Sequence, residues 1–224
     1  MTVLLAALVL APLPQKPILS IWEQENGFKP LFNGRDLSNW RGYKQMSPPE
    51  VWHVENGELV VRPGGRGGDI CTAKEYADFD LRLEWNTSKG GNSGVIYRSS
   101  EDYDASWKTG PEYQIFDDFQ SGEGKADTHS SGSLYDLYVP SKFVTRKPGE
   151  WNETRIVVKG NHIEHWLNGT KVVDCEVGSK DWNERYGKSK FRSYAEFAKK
   201  RRGYILIQDH GYEMKFRRVR LKEL

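Results

Sequence analysis

Apolar and polar side chains alternate with a period of two along most of this chain, and glycine and asparagine interrupt the alternation at short intervals. Between Tyr76 and Trp85, the residues Phe79, Leu81, Leu83 and Trp85 share one face while Asp80, Arg82 and Glu84 share the other, the pattern of a half-buried strand. Val51 to Val61 reads as a hairpin about Asn56-Gly57, a dipeptide that tolerates the positive φ of a type I′ turn. Trp151 to Glu176 reads as two further hairpins, turning at Gly160-Asn161 and Asn168-Gly169. Gly27 to Gly34 predicts a first strand and turn, Gly91 to Arg98 a turn into a strand, Tyr204 to Ile207 a buried strand, and Phe216 to Leu221 a closing basic strand. Ser179 to Arg202 departs from this rhythm: Trp182, Tyr186, Phe191, Tyr194, Phe197 and Ala198 recur at roughly helical spacing before Gly203. Many short strands with tight turns, and one partly helical insertion near 179–202, predict an all-β sandwich. There is no internal repeat and no second composition regime, so 27–224 is expected to be a single domain.

One strand carries polar side chains where a core strand would be apolar. In Pro111 to Asp118, Glu112 and Gln114 share a face with Phe116, and Tyr113 and Ile115 share the opposite one. A carboxylate and an amide on one face, backed by a core, predict the floor of a polar cleft. Such a floor suits binding and proton transfer on a hydroxyl-rich ligand such as a sugar.

Composition narrows the classes of function. The net charge of +2 over 224 residues is too mild to argue for a nucleic-acid partner, and the run Lys199 to Arg202 reads as a solvated helix end. The 8 Trp, 11 Tyr and 22 Gly favour strands, sugar-stacking platforms and tight turns. Residues 1–17 open with an apolar run of export-signal length that lacks a basic start, so export is the expectation and a disordered leader the alternative. No later segment is apolar enough to span a membrane. Cys71 and Cys175 lie far apart and lack metal-ligand spacing; a disulfide and two buried thiols both accommodate them. Gly64 to Gly68 has no helix pattern after it, which argues against a phosphate cradle.

The chain has five histidines, each a chemical candidate. His53 reads as structural, His129 as solvated in a polar loop, and His162 and His165 fall on opposite faces of one strand. His210 stands out because a buried strand ends at Gln208-Asp209-His210-Gly211, where a side chain is fixed yet accessible. Paired glycosidase carboxylates are not evident on the Glu112 strand, since Gln114 is an amide and Asp117 falls on the other face. Chemistry with one carboxylate plus histidine or a metal is favoured instead. Glu112 and His210 are compatible with a hydrogen-bonded pair or with ligation of a divalent metal. Trp107, Tyr135 and Trp166 lie in polar, turn-rich surroundings and are candidates to stack on sugar faces. Arg98, at a strand end on the face of Ile96, is a candidate to bind a carbonyl, or equally a salt-bridge partner.

Ordered motifs carry a family resemblance. They are Gly27-Phe28-Lys29-Pro30-Leu31-Phe32-Asn33-Gly34 with Trp40, Asp78 to Trp85, Gly91-Asn92-Ser93-Gly94-Val95 with Arg98, and Glu112-Tyr113-Gln114. Pro148 to Asn152, His165-Trp166-Leu167-Asn168-Gly169, Ser189-Lys190-Phe191, and Gly203 with Gln208 to Gly211 continue the series. From about Gly27 to the C-terminus the chain resembles the 3-keto-disaccharide hydrolase domain family. The resemblance implies a concanavalin-like jelly-roll sandwich that cleaves glycosides already oxidised at C3 by a glycoside 3-dehydrogenase. It implies no organic cofactor, and a single base suffices, because a C3 ketone acidifies the C2 hydrogen and the C1 substituent leaves by elimination. Under it, His210 is base or metal ligand, Glu112 its partner or co-ligand, and Arg98 or the metal polarises the ketone. Gln114, Asp117, Tyr135, Gln208 and Asp209 hold the sugar, while Trp107 and Trp166 stack on it. The alternative is a non-catalytic carbohydrate-binding sandwich with the same cleft.

Overall fold

The computed structural model describes residues 17–64, 67–120 and 126–224; the expected leader therefore lies, but for Pro17, outside the described residues. The strands among these are β1 (Lys29–Pro30), β2 (Trp40–Gly42), β3 (Trp52–Glu55), β4 (Glu58–Val61), β5 (Ile70–Thr72), β6 (Phe79–Thr87), β7 (Asn92–Ser99), β8 (Glu112–Phe116), β9 (Asn152–Lys159), β10 (His162–Leu167), β11 (Thr170–Glu176), β12 (Tyr204–Ile207) and β13 (Met214–Glu223). An eight-stranded sheet runs β11-β10-β9-β6-β13-β4-β3 with β1 beside β13, and a five-stranded sheet runs β2-β5-β12-β7-β8. The hairpin turns have the expected chemistry: Asn56 and Gly57 adopt φ of 50° and 77°, and Asn168 and Gly169 adopt 48° and 78°, the type I′ signature.

The alternation on β6 sets the core. Phe79, Leu81, Leu83 and Trp85 are buried and meet Val95 and Tyr97 of β7, Tyr113 and Ile115 of β8, and Ile205 and Ile207 of β12. Within this layer Trp85 Nε1 donates to Thr154 Oγ1 at 2.9 Å. His165 lies 2.9 Å from the Tyr97 hydroxyl and 3.1 Å from the Gly132 carbonyl. Burial holds its pKa down at about 4, so it is a neutral core residue. The opposite face of β6 differs from a simple half-exposed strand. Asp80 and Glu84 are buried, because Arg82 and Arg155 pair with the first and Arg217 and Arg218 with the second. A short helix, α1 (Ile21–Glu25), lays buried Glu23 against Arg220 at 2.5 Å.

The expected first strand shrinks to Lys29–Pro30, and β2 and β5 were not foreseen, being three residues each without a visible alternation. The insertion is helical as expected. Ser179 accepts from Trp182 N to cap α2 (Lys180–Lys188), and Ser189 caps a 3₁₀ turn, Lys190–Ser193. Trp182, Phe191 and Phe197 are buried, the last two stacked at 4.0 Å between centroids. The chain returns to the small sheet through Gly203, where an added Cβ would lie 2.5 Å from the Arg98 carbonyl carbon. Only glycine permits that backbone approach. Cys71 and Cys175 are both free, buried thiols. Among the described residues no helix is long and apolar enough to cross a membrane.

A candidate active site on the outer face of the small sheet

The face of the small sheet turned away from the core carries a second, smaller apolar cluster of Cys71, Ile96 and Leu206, with Trp107 and Tyr43 packed on it. Register places Leu206 opposite both Cys71 and Ile96, and Ile96 opposite Glu112. One step along the same face lie Gly94, opposite Gln114, and Gln208, whose backbone N–H donates to the Gly94 carbonyl at 3.0 Å. Glu112 and Gln114 of β8 and Gln208 at the end of β12 therefore share one polar face, on either side of β7. They are 5%, 3% and 4% exposed, so this face is a desolvated floor, not a wet surface.

Gly94 is the hinge of this arrangement. A Cβ there would sit 2.3 Å from Gln208 Oε1 and 2.6 Å from Glu112 Oε1, so the missing side chain is the space in which those two groups meet. Among the described residues nothing donates to the buried Gln208 Oε1. Gln114 Nε2 donates to Asn92 Oδ1 at 3.1 Å, which fixes its amide along the floor. Burial pushes the Glu112 carboxyl up to about 8; the Lys190 ammonium opposes that shift and the Asp69 carboxylate adds to it. Asp69 is also raised by burial, although the Ser106 hydroxyl and the Asp209 backbone N–H donate to it. Tyr135 enters the site because its backbone N–H donates to the Glu112 carbonyl at 3.0 Å. Its ring lies 4.3 Å from Lys190 Nζ and 4.7 Å from the His129 ring; His129 is exposed, as expected, and its loop borders the cleft.

A hollow of about 340 Å³ continues the floor toward the end of β12, lined by Tyr43, Asp69, Ser106, Trp107, Gln208 and His210 among others. His210 thus lines the hollow that Gln208 also lines, two residues further along the chain. Asp209 also lines the hollow, and its carboxylate accepts from the backbone N–H groups of Gly67, Gly68 and Gly211. It pins the glycine-rich segment to the strand end.

Three further expectations are corrected. Arg98 should share the face of Ile96, yet its φ of 51° and the β-bulge it lies in on β7 rotate the side chain out of alternation. Its guanidinium donates to the carbonyls of Ala77 and Gly160 and to Asp78, a clasp between β7 and the large sheet. Arg98→Met is accordingly expected to cost ~1–3 kcal/mol of stability by orphaning those acceptors. Thermal melts should show a Tm lower by about 3–8 °C, with turnover per folded molecule unchanged. Trp166 lies on β10 of the large sheet beside Arg155 and Lys171, its Nε1 donating to Glu164 at 2.8 Å, in the sheet opposite the cleft. Asp117 accepts from Gly90 N and Phe119 N and shapes the turns at the ends of β7 and β8.

Sequence reasoning missed Asp69 and Lys190. Asp69 sits beyond a glycine loop with no strand pattern to announce it, and Lys190 stood as one cation in a basic insertion. Its signal was the Ser189-Lys190-Phe191 motif, a small cap and a buried aromatic flanking a lysine. Among the described residues, the one group of three His, Asp or Glu ligand atoms within 4.8 Å of one another is His162, Glu164 and Asp174. It lies on β10 and β11, outside the cleft, and Lys171 already bridges its two carboxylates.

The two packed sheets define a β-sandwich of the jelly-roll class. A carbohydrate-binding module of Bacillus subtilis, 12% identical, shares the fold over 84% of this chain and 98% of its own, with a TM-score of 0.52. Residues 27–222 match the 3-keto-alpha-glucoside-1,2-lyase-like domain, and the chain belongs to that family. A 3-keto-disaccharide hydrolase of Bacteroides thetaiotaomicron is 31% identical over 89% of this chain and 79% of its own. The crystal structure of a proposed glycosyl hydrolase from Parabacteroides distasonis is 34% identical and has a TM-score of 0.84, covering 92% of this chain and 98% of that one.

Proposed function

We propose that this protein cleaves 3-keto-glycosides by base-assisted elimination, and that Glu112 is the base. The observation that carries this reading is the buried Glu112 carboxyl, raised to about 8 and aimed with Gln208 into the space above Gly94. A carboxylate held near working pH is a far stronger base than one at its ordinary value. Family membership and the carbohydrate-acting names of the relatives support a glycoside as the substrate.

The steps balance as follows. Glu112 takes the proton from C2 and the electron pair becomes the C2=C3 enolate. The enolate re-forms the C3 carbonyl while the C1–O bond breaks, leaving a C1=C2 enone. The departing oxygen takes a proton, for which His210, lining the adjoining hollow, is the candidate donor. Water added to C1, with a proton returned to C2, gives net hydrolysis. Gln114 and Gln208 hold hydroxyls on the floor, and Trp107 and Tyr135 wall the ring. Because the substrate is a ketone at C3, a glycoside 3-dehydrogenase must supply it.

The test is an assay of plain and 3-oxidised aryl glycosides, each with and without chelator. Release from the oxidised substrate alone is expected. Release from plain glycosides would overturn elimination, and release from neither would leave a carbohydrate-binding module. The carboxylate, amide and imidazole donors of Glu112, Gln208 and His210 are of types that suit a divalent cation, which would supply Lewis-acid polarisation of a substrate oxygen. Chelation leaves the rate unchanged if Glu112 works as a free base, and abolishes it if Glu112 serves as a ligand.

A further inference from the structure

We propose that the Lys190 ammonium is the cation that receives the negative charge developing on the C3 oxygen, an inference that rests on the elimination reading above. Enolisation needs a base on one side of the substrate and a positive group where the oxygen charge collects. The cleft supplies Glu112 for the first. For the second, Lys190 is a cation whose charge acts on Glu112 across the cleft.

Lys190 is an exposed residue by its overall surface, yet its ammonium is gathered against the rings that wall the cleft. Lys190 opens the 3₁₀ turn, with Ser189 accepting from Phe191 N and Asp136 Oδ2 accepting from Lys190 N at 2.8 Å. Phe191, next in the chain, is fully buried and stacked on Phe197, so the turn cannot easily shift. The ammonium is then held among rings: Nζ lies 4.3 Å from the Tyr135 centroid, 4.8 Å from Trp107 and 5.2 Å from Phe191. Among the described residues no carboxylate forms an ion pair with it. Ring faces favour the charged form without neutralising it; partial desolvation lowers the Lys190 pKa, and the Glu112 and Asp136 carboxylates act in the opposite direction. A cation held by ring faces and in no direct ion pair binds a developing oxyanion more strongly than the neutral ketone, which is what acceleration requires. The insertion at 179–202, in this account, carries the electrophile into a site whose base belongs to the sheet.

The experiment compares Lys190→Met and Lys190→Arg with the unaltered protein on a 3-keto-glycoside. Turnover and hydrogen exchange at C2 in deuterated water are both followed. Loss of the ammonium is expected to lower kcat by about 10²–10³-fold, with KM within about threefold and C2 exchange lost in parallel. Lys190→Arg restores kcat to within about tenfold of the original, because a guanidinium keeps the charge. Thermal melts of both variants separate a chemical defect from a folding one. Turnover by Lys190→Met within threefold of the original would overturn the assignment. Borohydride trapping of a substrate adduct on Lys190 would overturn it too, since the lysine would then act as a nucleophile. Absence of any turnover by the unaltered protein would remove the elimination reading itself, an outcome distinct from both.

Discussion

Glu112→Gln abolishes elimination and stabilises the fold, and the two effects have one cause. Removing a general base at this position is expected to lower kcat by about 10²–10⁴-fold. In the unaltered protein the base must be ionised, so kcat/KM rises with pH through about 8 and levels above it. The same burial destabilises the charged form. Between the ordinary value of 4.5 and about 8, the folded protein keeps a proton on Glu112 that the unfolded chain has released. The stability contributed by this group is therefore complete below the ordinary value, falls as pH rises through the window, and is lost above it. The limit of that loss is ~5 kcal/mol at 1.36 kcal/mol per pH unit. An amide of the same shape carries no charge to desolvate and has an N–H to offer the orphaned Gln208 Oε1. Recovery of about 2 kcal/mol at pH 9 is expected, a rise in Tm of roughly 4–8 °C, with little difference at pH 4. A variant that is inactive but no more stable at pH 9 would remove burial of Glu112 from the account.

Gly94→Ala is expected to silence the site while leaving the fold standing. The new methyl would sit 2.3 Å from Gln208 Oε1 and 2.6 Å from Glu112 Oε1, and both are the far ends of flexible side chains that can swing aside. Displacement of catalytic groups by about 1 Å is worth on the order of 10²-fold in rate, so turnover should fall at least that far. The change in Tm should stay within about 4 °C, since no backbone atom is struck and Gly94 lies in regular strand. Gly203 is the contrast. There an added methyl meets the backbone of Arg98 and Ser99, and the fold itself must give. Activity retained in Gly94→Ala would mean that the space above Gly94 is not where substrate sits.

How far the site was legible depended on whether each clue was local. The β8 alternation was local: Glu112 and Gln114 on one face, Tyr113 and Ile115 on the other, as the buried floor and the core confirm by their positions. His210 and Gln208 were flagged by a strand end, also a local feature. Arg98 and Trp166 failed for a non-local reason. Arg98 obeys a left-handed backbone angle that no residue type announces, and Trp166 alternates correctly but on the sheet opposite the cleft. Asp117 was read as a sugar ligand because its turn partners, Gly90 and Phe119, become evident only once the loops are folded.

By itself the sequence determined the period-two strands, the type I′ turns, the helical insertion and the acid–amide face, because each depends on residues within a few positions of one another. Tertiary structure decided which strands lie side by side, and so which polar groups face one another. Gln208 reaches Glu112 across β7, over a glycine, and Lys190 arrives from an insertion far along the chain. The raised carboxyl of Glu112 belongs to the same level. A pKa depends on the water excluded and the charges gathered around a group, and for Glu112 those are supplied by residues distant in the chain but adjacent in space.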